Sequence, residues 1–445
     1  MMFPLRAAEK PTEAVEFLTP ESKGYAAARE VFNNTILTRP PLIARCSTEA
    51  GVMQAIARAA GEKMPLAIKS GGHSFEGFCL SEGGLTVELA RMKAMHLDAK
   101  TGILTAGPGC KLAEVNNWLL AKGRLLPSGS CATVGLSGLT LGGGYGLFAR
   151  KFGLTCDHLE SIRLVDADGQ VHDSRDEPEL LWACRGGGNG HFGVVTELSL
   201  RTQSAPKGLA AFKFRASKLT EARTISLLKT WFEISPKLPN EAFSAFVLNG
   251  HFLTILVTTI GSSENKGLKE FLKVMGAAMD KATTAKTVPL PQALPRYYGE
   301  KGPVAFKNAS AGYYKEFADL APSMPGIINE VFSTGGLVFQ VNTLGGAIID
   351  GPDSAYPHRA YPFLGEWQAY WDHESRREIC TAAAGRMRDI LAKNGITRHY
   401  ANYPDRAFTD WPTAYYGAAN YKRLQAVKKK IDPKNRFQHA QSVKK

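Results

Sequence analysis

The sequence predicts an α+β protein built from two lobes. Two observations lead there: 445 residues at 44 % hydrophobic content are enough for two packed cores, and short apolar strands alternate with turns and short helices over the first two hundred residues. A third fixes the division. After Ser204-Ala205-Pro206 the glycine density falls and amphipathic helices take over.

In chain order, 20–33 reads as a helix, and 40–45 as an extended apolar run restricted by Pro40 and Pro41. Ser47 or Thr48 caps a helix running to about 60. Strands at 65–68, 85–89 and 102–106 form a mixed sheet rather than a barrel of hairpins. The spacing of Leu112, Val115 and Leu119 makes 111–120 helical. Residues 161–172 read as a hairpin turning at Ala167-Asp168-Gly169, and 177–184 as a short helix. Gly188, Gly190 and Gly193 match the dinucleotide fingerprint G-x-G-x-x-G in form only. That fingerprint needs a strand before and a helix after, whereas here a helix precedes and the strand 194–200 follows. Beyond the boundary come helices at 219–232 and 266–279, then strands at 243–248, 252–259, 336–341 and 364–371. A long helix at 374–392, a helix at 419–430 and an Asp432-Pro433 turn complete the chain.

Two segments carry the chemistry. Pro65-Leu-Ala-Ile-Lys69-Ser70-Gly71-Gly72-His73-Ser74 runs a strand into small residues whose successive N–H groups suit an anion. Ser130-Cys131-Ala132-Thr133-Val134-Gly135, continuing through Gly138 to Gly142-Gly143-Gly144-Tyr145-Gly146, suits a backbone lying flat against a ligand. Each segment holds one nucleophile, His73 and Cys131. Together with Lys151-Phe-Gly-Leu154, the run 181–193, Asn402-Tyr403-Pro404-Asp405 and Tyr416 to Gln441-Ser442, they resemble the berberine-bridge-enzyme-like group of FAD-linked oxidases. The likeness spans most of the chain and is weakest from about 205 to 330. Lys69 stands where that group usually has Arg.

The resemblance implies a PCMH-type FAD-binding domain of two subdomains over 1–204, with its core at about 36–203. It further implies a substrate domain over 205–398, an antiparallel sheet backed by helices, and a segment 399–445 that returns to the first domain. It implies FAD bonded through its 8α carbon to His73 and through C6 to Cys131. A neutral imidazole and a thiolate are the side chains nucleophilic enough for that near neutral pH. Ser70, Gly71, Gly72, Ser74, Thr133, Val134, Gly135, Gly138, Gly142, Gly143, Gly193, Val195, Tyr416 and Asn420 are implied to cradle the cofactor, the 188–193 loop lying at its adenine end. Tyr403 takes the place of the group's catalytic Tyr. To accept a proton at neutral pH it would need nearby positive charge or strong hydrogen bonds to the phenolate; the alternative is a core Tyr bonded to a carbonyl. Tyr145 either contacts substrate or packs on the flavin. Gln340 and Asn342 alternate on one strand face, as do Glu366 and Gln368, facing substrate, the flavin edge or solvent. Valine at 134, rather than leucine, goes with oxygen access in the group.

Composition narrows the alternatives. Lys and Arg number 54 against 41 Asp and Glu, a net +13. Apart from Lys428-Lys429-Lys430 and Lys444-Lys445 the basic residues are scattered, a solvated face that helps hold an anionic cofactor rather than a nucleic-acid site. Seven cysteines at unpatterned spacing, without a C-x-x-C pair, argue against a metal site and fit reduced thiols, with scattered pairs left open. Residues 1–10 reach charge too soon for a secretory signal, and no run nears the roughly 18 apolar residues of a span. The expectation is therefore a cytoplasmic monomer or homodimer without a membrane partner. It uses O2 to oxidise an alcohol or hemiacetal carbon of a sugar or secondary metabolite, a small-molecule substrate. The alternatives are an oxidative cyclase or dehydrogenase of a phenolic or alkaloid, and a non-redox ligand-binding scaffold.

Overall fold

A computed structural model describes residues 13–284 and 286–445; the expectation about residues 1–10 lies outside them. The first lobe holds two sheets. In the four-stranded one the order is Val15–Leu18, Leu42–Cys46, Leu85–Glu88, Leu66–Lys69, with the last three parallel and the first antiparallel. Parallel neighbours need a crossover, and the helix Glu49–Gly61 supplies one, started by Thr48, whose hydroxyl accepts from Gly51 N. The five-stranded sheet is antiparallel throughout, in the order Met95–Leu97, Ile103–Ala106, Val194–Arg201, Leu159–Val165, Val171–Asp173.

The second lobe is one large antiparallel sheet. Its path runs Lys281–Thr284, Gly208–Ala216, Phe252–Thr259, Ala242–Asn249, Leu337–Thr343, Phe363–Tyr370, Phe306–Tyr314. The helices Glu221–Ile234, Lys266–Ala278, Met324–Ser333 and Arg377–Lys393 cover one face, burying Trp231, Phe246, Phe271, Phe339 and Trp367 completely. Trp231 Nε1 satisfies itself on Ser244 Oγ at 2.9 Å. Because strand side chains alternate, every second residue points away from that core toward the first lobe, and this alternation builds the roof of the site. The C-terminal helix Trp411–Ile431 shares a core with residues 104–200 of the first lobe.

Some elements differ from the sequence expectations. The helix expected over 20–33 shrinks to Tyr25–Arg29, because Gly24 precedes it in a left-handed conformation and Asn33 turns the chain onto Thr35. The helix expected over 419–430 is the second part of Trp411–Ile431, which breaks at Gly417 (φ 71°), a backbone conformation that suits only glycine there, so the short helical stretch from Trp411 to the break is additional. The helix Met324–Ser333 is additional: Pro325 and Gly326 suggest a turn, but Pro is tolerated in a first helical turn. The strands Phe306–Tyr314 and Gly208–Ala216 are also additional. All seven cysteines are free thiols. No helix among the described residues is long and apolar enough to cross a membrane.

The hairpin of the first lobe carries a pH-sensitive tie. His172 lies between Glu177 Oε1 (2.6 Å from Nδ1) and Asp166 Oδ2 (3.0 Å from Nε2). Burial alone would lower its pKa, but the hydrogen bonds and charges of Asp166 and Glu177 outweigh that and raise it above 6.5. Its stabilising contribution is complete below the ordinary histidine value and fades as pH rises through the raised one. His172→Gln should therefore flatten the fall in melting temperature between pH 6 and 9. An unchanged slope would remove His172 as its source.

Candidate active site

A cavity of about 750 Å³ opens where the loops of the first lobe face the sheet of the second. Its floor is bare backbone. A Cβ on Gly71 would stand 2.3 Å from Gly135 N, and one on Gly135 would stand 2.6 Å from Gly71 N, so the two glycine-rich loops touch only because neither has a side chain. At Gly138 and Gly190, both in the cavity wall, a Cβ would meet nothing within 4 Å. These positions leave room for a flat ligand close to the chain.

Of the residues expected at the cofactor, Ser70, Gly71, Gly72, His73 and Ser74 line the cavity from one loop. Cys131, Val134, Gly135 and Gly138 line it from the other, and Gly193, Val195 and Tyr416 close the far end. Four stand elsewhere. Gly142 is glycine because a Cβ there would lie 2.0 Å from Asn402 Oδ1, and Gly143 (φ 125°) packs against Tyr356 and Tyr400. Asn420 donates to Ala355 O at 3.3 Å, behind the wall. Thr133 does not line the cavity but joins its two nucleophiles: its hydroxyl lies 2.9 Å from His73 Nε2 and 3.9 Å from Cys131 Sγ. Two separate loops thus bring an imidazole and a thiol to one wall. Burial, with Lys111 adding to it, pushes His73 down to about 4, so its ring is neutral and keeps a nucleophilic lone pair. Phe32 stacks on that ring at 4.2 Å, fixing its plane.

The roof comes from the second lobe. Gln340 pairs across the sheet with Val247 on one side and Glu366 on the other, and Gln368 with Asn308. Gln340, Asn342, Glu366, Gln368 and Asn308 all face the cavity, flanked by Phe243, Val247 and Leu256. Gln340 Nε2 donates to Asn342 Oδ1 (2.8 Å), and Asn342 Nδ2 donates to Tyr145 OH (3.2 Å). Tyr145 OH lies 2.7 Å from Tyr403 OH. Either hydroxyl of the Tyr145–Tyr403 pair can donate, and Glu366, on the strand beside Gln340, faces the same space.

Glu366 is the carboxyl of this cluster. Burial raises its carboxyl to about 7, although hydrogen bonds from Gln368 and Tyr403 pull the other way. Among the described residues, none of the groups that shift Tyr403 most is the cation its phenolate would need. Burial comes first, then the Glu366 and Tyr145 groups, and all of them hold Tyr403 well above 10. Tyr403 by itself therefore stays protonated at neutral pH, and the Glu366 carboxyl in the same wall is the group of the cluster that ionises near 7. In the sequence Glu366 and Gln368 carry equal weight. A carboxylate between Gly365 and Trp367, on the cavity-facing side of a strand with no other charged residue, is the signal that distinguishes it.

Residues 40–175 match the family described as FAD binding domain, and 399–444 the family described as Berberine and berberine like. The chain is 30 % identical to the chitooligosaccharide oxidase of Gibberella zeae over 470 residues, covering 99 % of this chain and 93 % of that protein. It is 27 % identical to the (R)-6-hydroxynicotine oxidase of Paenarthrobacter nicotinovorans, covering 96 % of each. The solved structure of Physcomitrella patens BBE-like 1 superposes with a TM-score of 0.88 at 24 % identity, over 97 % of both chains.

Proposed function

The chain belongs to the berberine-bridge-enzyme-like family of FAD-linked oxidases, and from that premise we propose that it oxidises a hydroxyl-bearing or hemiacetal carbon of a neutral sugar-like molecule, with O2 reduced to hydrogen peroxide. One observation carries the choice of substrate. From the roof, four amides, Asn308, Gln340, Asn342 and Gln368, and the Glu366 carboxylate face the cavity that also holds His73 and Cys131. Amides offer both donors and acceptors, the complement of a ring of hydroxyls.

Residues 1–204 and 399–445 would hold the cofactor, and 205–398 the substrate. The bare backbone at Gly71, Gly135, Gly138 and Gly190 fits a flat dinucleotide, and His73 and Cys131 would tether it from two loops. FAD, when bound there, supplies the acceptor for a hydride and returns the electrons to O2. The chain's own part is the proton. A substrate hydroxyl that donates to Tyr403 loses its proton as Tyr403 hands its own to Glu366, which is half ionised near neutrality. Tyr145, Asn342 and Gln340 keep that chain of donors aligned, and the neighbouring amides hold the substrate ring.

Peroxide release over a panel of oligosaccharides, polyols and phenolics tests the reading, alongside acid precipitation of the protein. Sugar-dependent peroxide and a yellow pellet support it. A phenolic-only response would favour the cyclase alternative, and a colourless pellet would remove the tethers. Val134, half-buried in the cavity wall, is the proposed oxygen gate. Val134→Leu should slow reoxidation by O2 about tenfold while leaving anaerobic reduction by substrate within twofold, as stopped-flow absorbance would show; the estimate assumes a barrier change near 1.4 kcal/mol.

A further inference from the structure

Three segments that this chemistry needs in register meet at one ammonium group. Lys307, on the strand Phe306–Tyr314, donates from Nζ to Glu76 and to Asp405 Oδ1, the latter at 2.9 Å. Glu76 follows His73 by three residues and Asp405 follows Tyr403 by two. Phe306 and Asn308, the sequence neighbours of Lys307, both belong to the cavity wall. Arg388 holds the other Asp405 oxygen at 3.2 Å. The Asp405 side chain is only 1 % exposed and that of Glu76 12 %.

A second set of contacts joins the same segments independently. Phe75 stacks on Tyr403 with centroids 5.5 Å apart and planes at 10°, and meets Phe306 edge-on at 5.3 Å. Arg406 donates to Glu76 O (3.0 Å), and Ser310 N donates to Tyr403 O (3.0 Å). The loop that presents His73 and the loop that presents Tyr403 are therefore seated on each other and on one strand.

We propose that Lys307 is a positioning residue that locks the His73 loop to the Tyr403 loop through Glu76 and Asp405, so that the flavin tether and the proton relay keep a fixed separation. The proposal rests on the flavin-oxidase reading above. Its physical basis is that two poorly exposed carboxylates share one cation, so a shift of the His73 loop leaves Glu76 unpaired and a shift of the Tyr403 loop leaves Asp405 with Arg388 alone. A misplacement of about 1 Å between reacting groups costs up to a hundredfold in rate.

The test compares wild type with K307M, K307R and the double variant E76Q/K307M, reading acid-stable flavin per chain, the visible flavin spectrum and the melting temperature. For K307M, acid-stable flavin should fall by more than half with a displaced absorption band, while K307R stays near wild type. The double variant leaves no unpaired carboxylate on the His73 loop, so its melting temperature should recover while the flavin defect persists. Recovery of both would make Lys307 a stabilising residue only and overturn the proposal, as would wild-type flavin content and spectrum in folded K307M. Should K307M not fold, E76Q alone breaks the link to the His73 loop and must show the same flavin defect. A wild-type protein without acid-stable flavin would sink the underlying reading instead, a separate result.

Discussion

Glu366→Gln should cost about 10²–10⁴-fold in kcat, the usual range for a lost general base, and should make the protein more stable above neutral pH. Both effects come from one property, the carboxyl held at about 7 by burial against an ordinary 4.5. A folded value above the unfolded one means that the fold prefers the protonated acid. Its stability contribution is whole at low pH and declines as pH climbs through about 7. At pH 8 the buried charge costs about 3 kcal/mol, taking each pKa unit as roughly 1.4 kcal/mol. A glutamine avoids that cost, so the gain in melting temperature should be clear at pH 8 and nearly absent at pH 4. Wild-type kcat/KM should rise with pH through about 7, and this limb should vanish in the variant. Tyr403→Phe separates relay from base: turnover drops, but the limb survives and moves upward, because the Tyr403 hydrogen bond is one of the contacts lowering Glu366. Normal turnover at pH 8 in Glu366→Gln would return the base role to another group.

How much of this the sequence discloses depends on the range of the interaction. The strands of the second sheet and the two glycine-rich loops are visible because period-two alternation and small-residue runs are local patterns. Phe306–Tyr314 escapes notice because Asn308, Ala309, Ser310, Ala311 and Gly312 lack the branched and aromatic side chains that mark a strand; pairing with Phe363–Tyr370 settles it. His73 and Cys131 are legible for their setting, yet the Thr133 hydroxyl between them is a tertiary fact. Gly142, Gly143 and Asn420 look like cofactor residues for the same local reasons, and their contacts with Asn402, Tyr400 and Ala355 are visible only in the fold. Glu366 is the sharpest case. Its residue type and its strand were both in view, but the burial that shifts its carboxyl depends on the first lobe closing over it.

Removing both proposed tethers at once should convert a permanently coloured protein into one that yields free FAD to acid. His73→Ala and Cys131→Ala separately should each keep a yellow pellet, since one bond remains, with different spectra because the imidazole and the thiolate would join different ring positions. The two variants should also differ in how readily the remaining bond forms. Losing Cys131 leaves His73 in its slot between Phe32 and the Thr133 hydroxyl, with a neutral ring fixed by burial. Losing His73 deprives Thr133 of its partner at 2.9 Å and unstacks Phe32, so the Cys131 loop loses part of its support. His73→Ala should therefore carry the lower flavin content of the two. Thr133→Val gives the finer control: it removes the shared hydroxyl while keeping both nucleophiles, and should leave both bonds intact after long incubation while slowing their formation. Mass spectrometry of proteolytic peptides reads each bond separately. Flavin mass absent from peptides containing His73 and Cys131 in the wild-type protein would refute the tethers outright, whatever the colour of the solution.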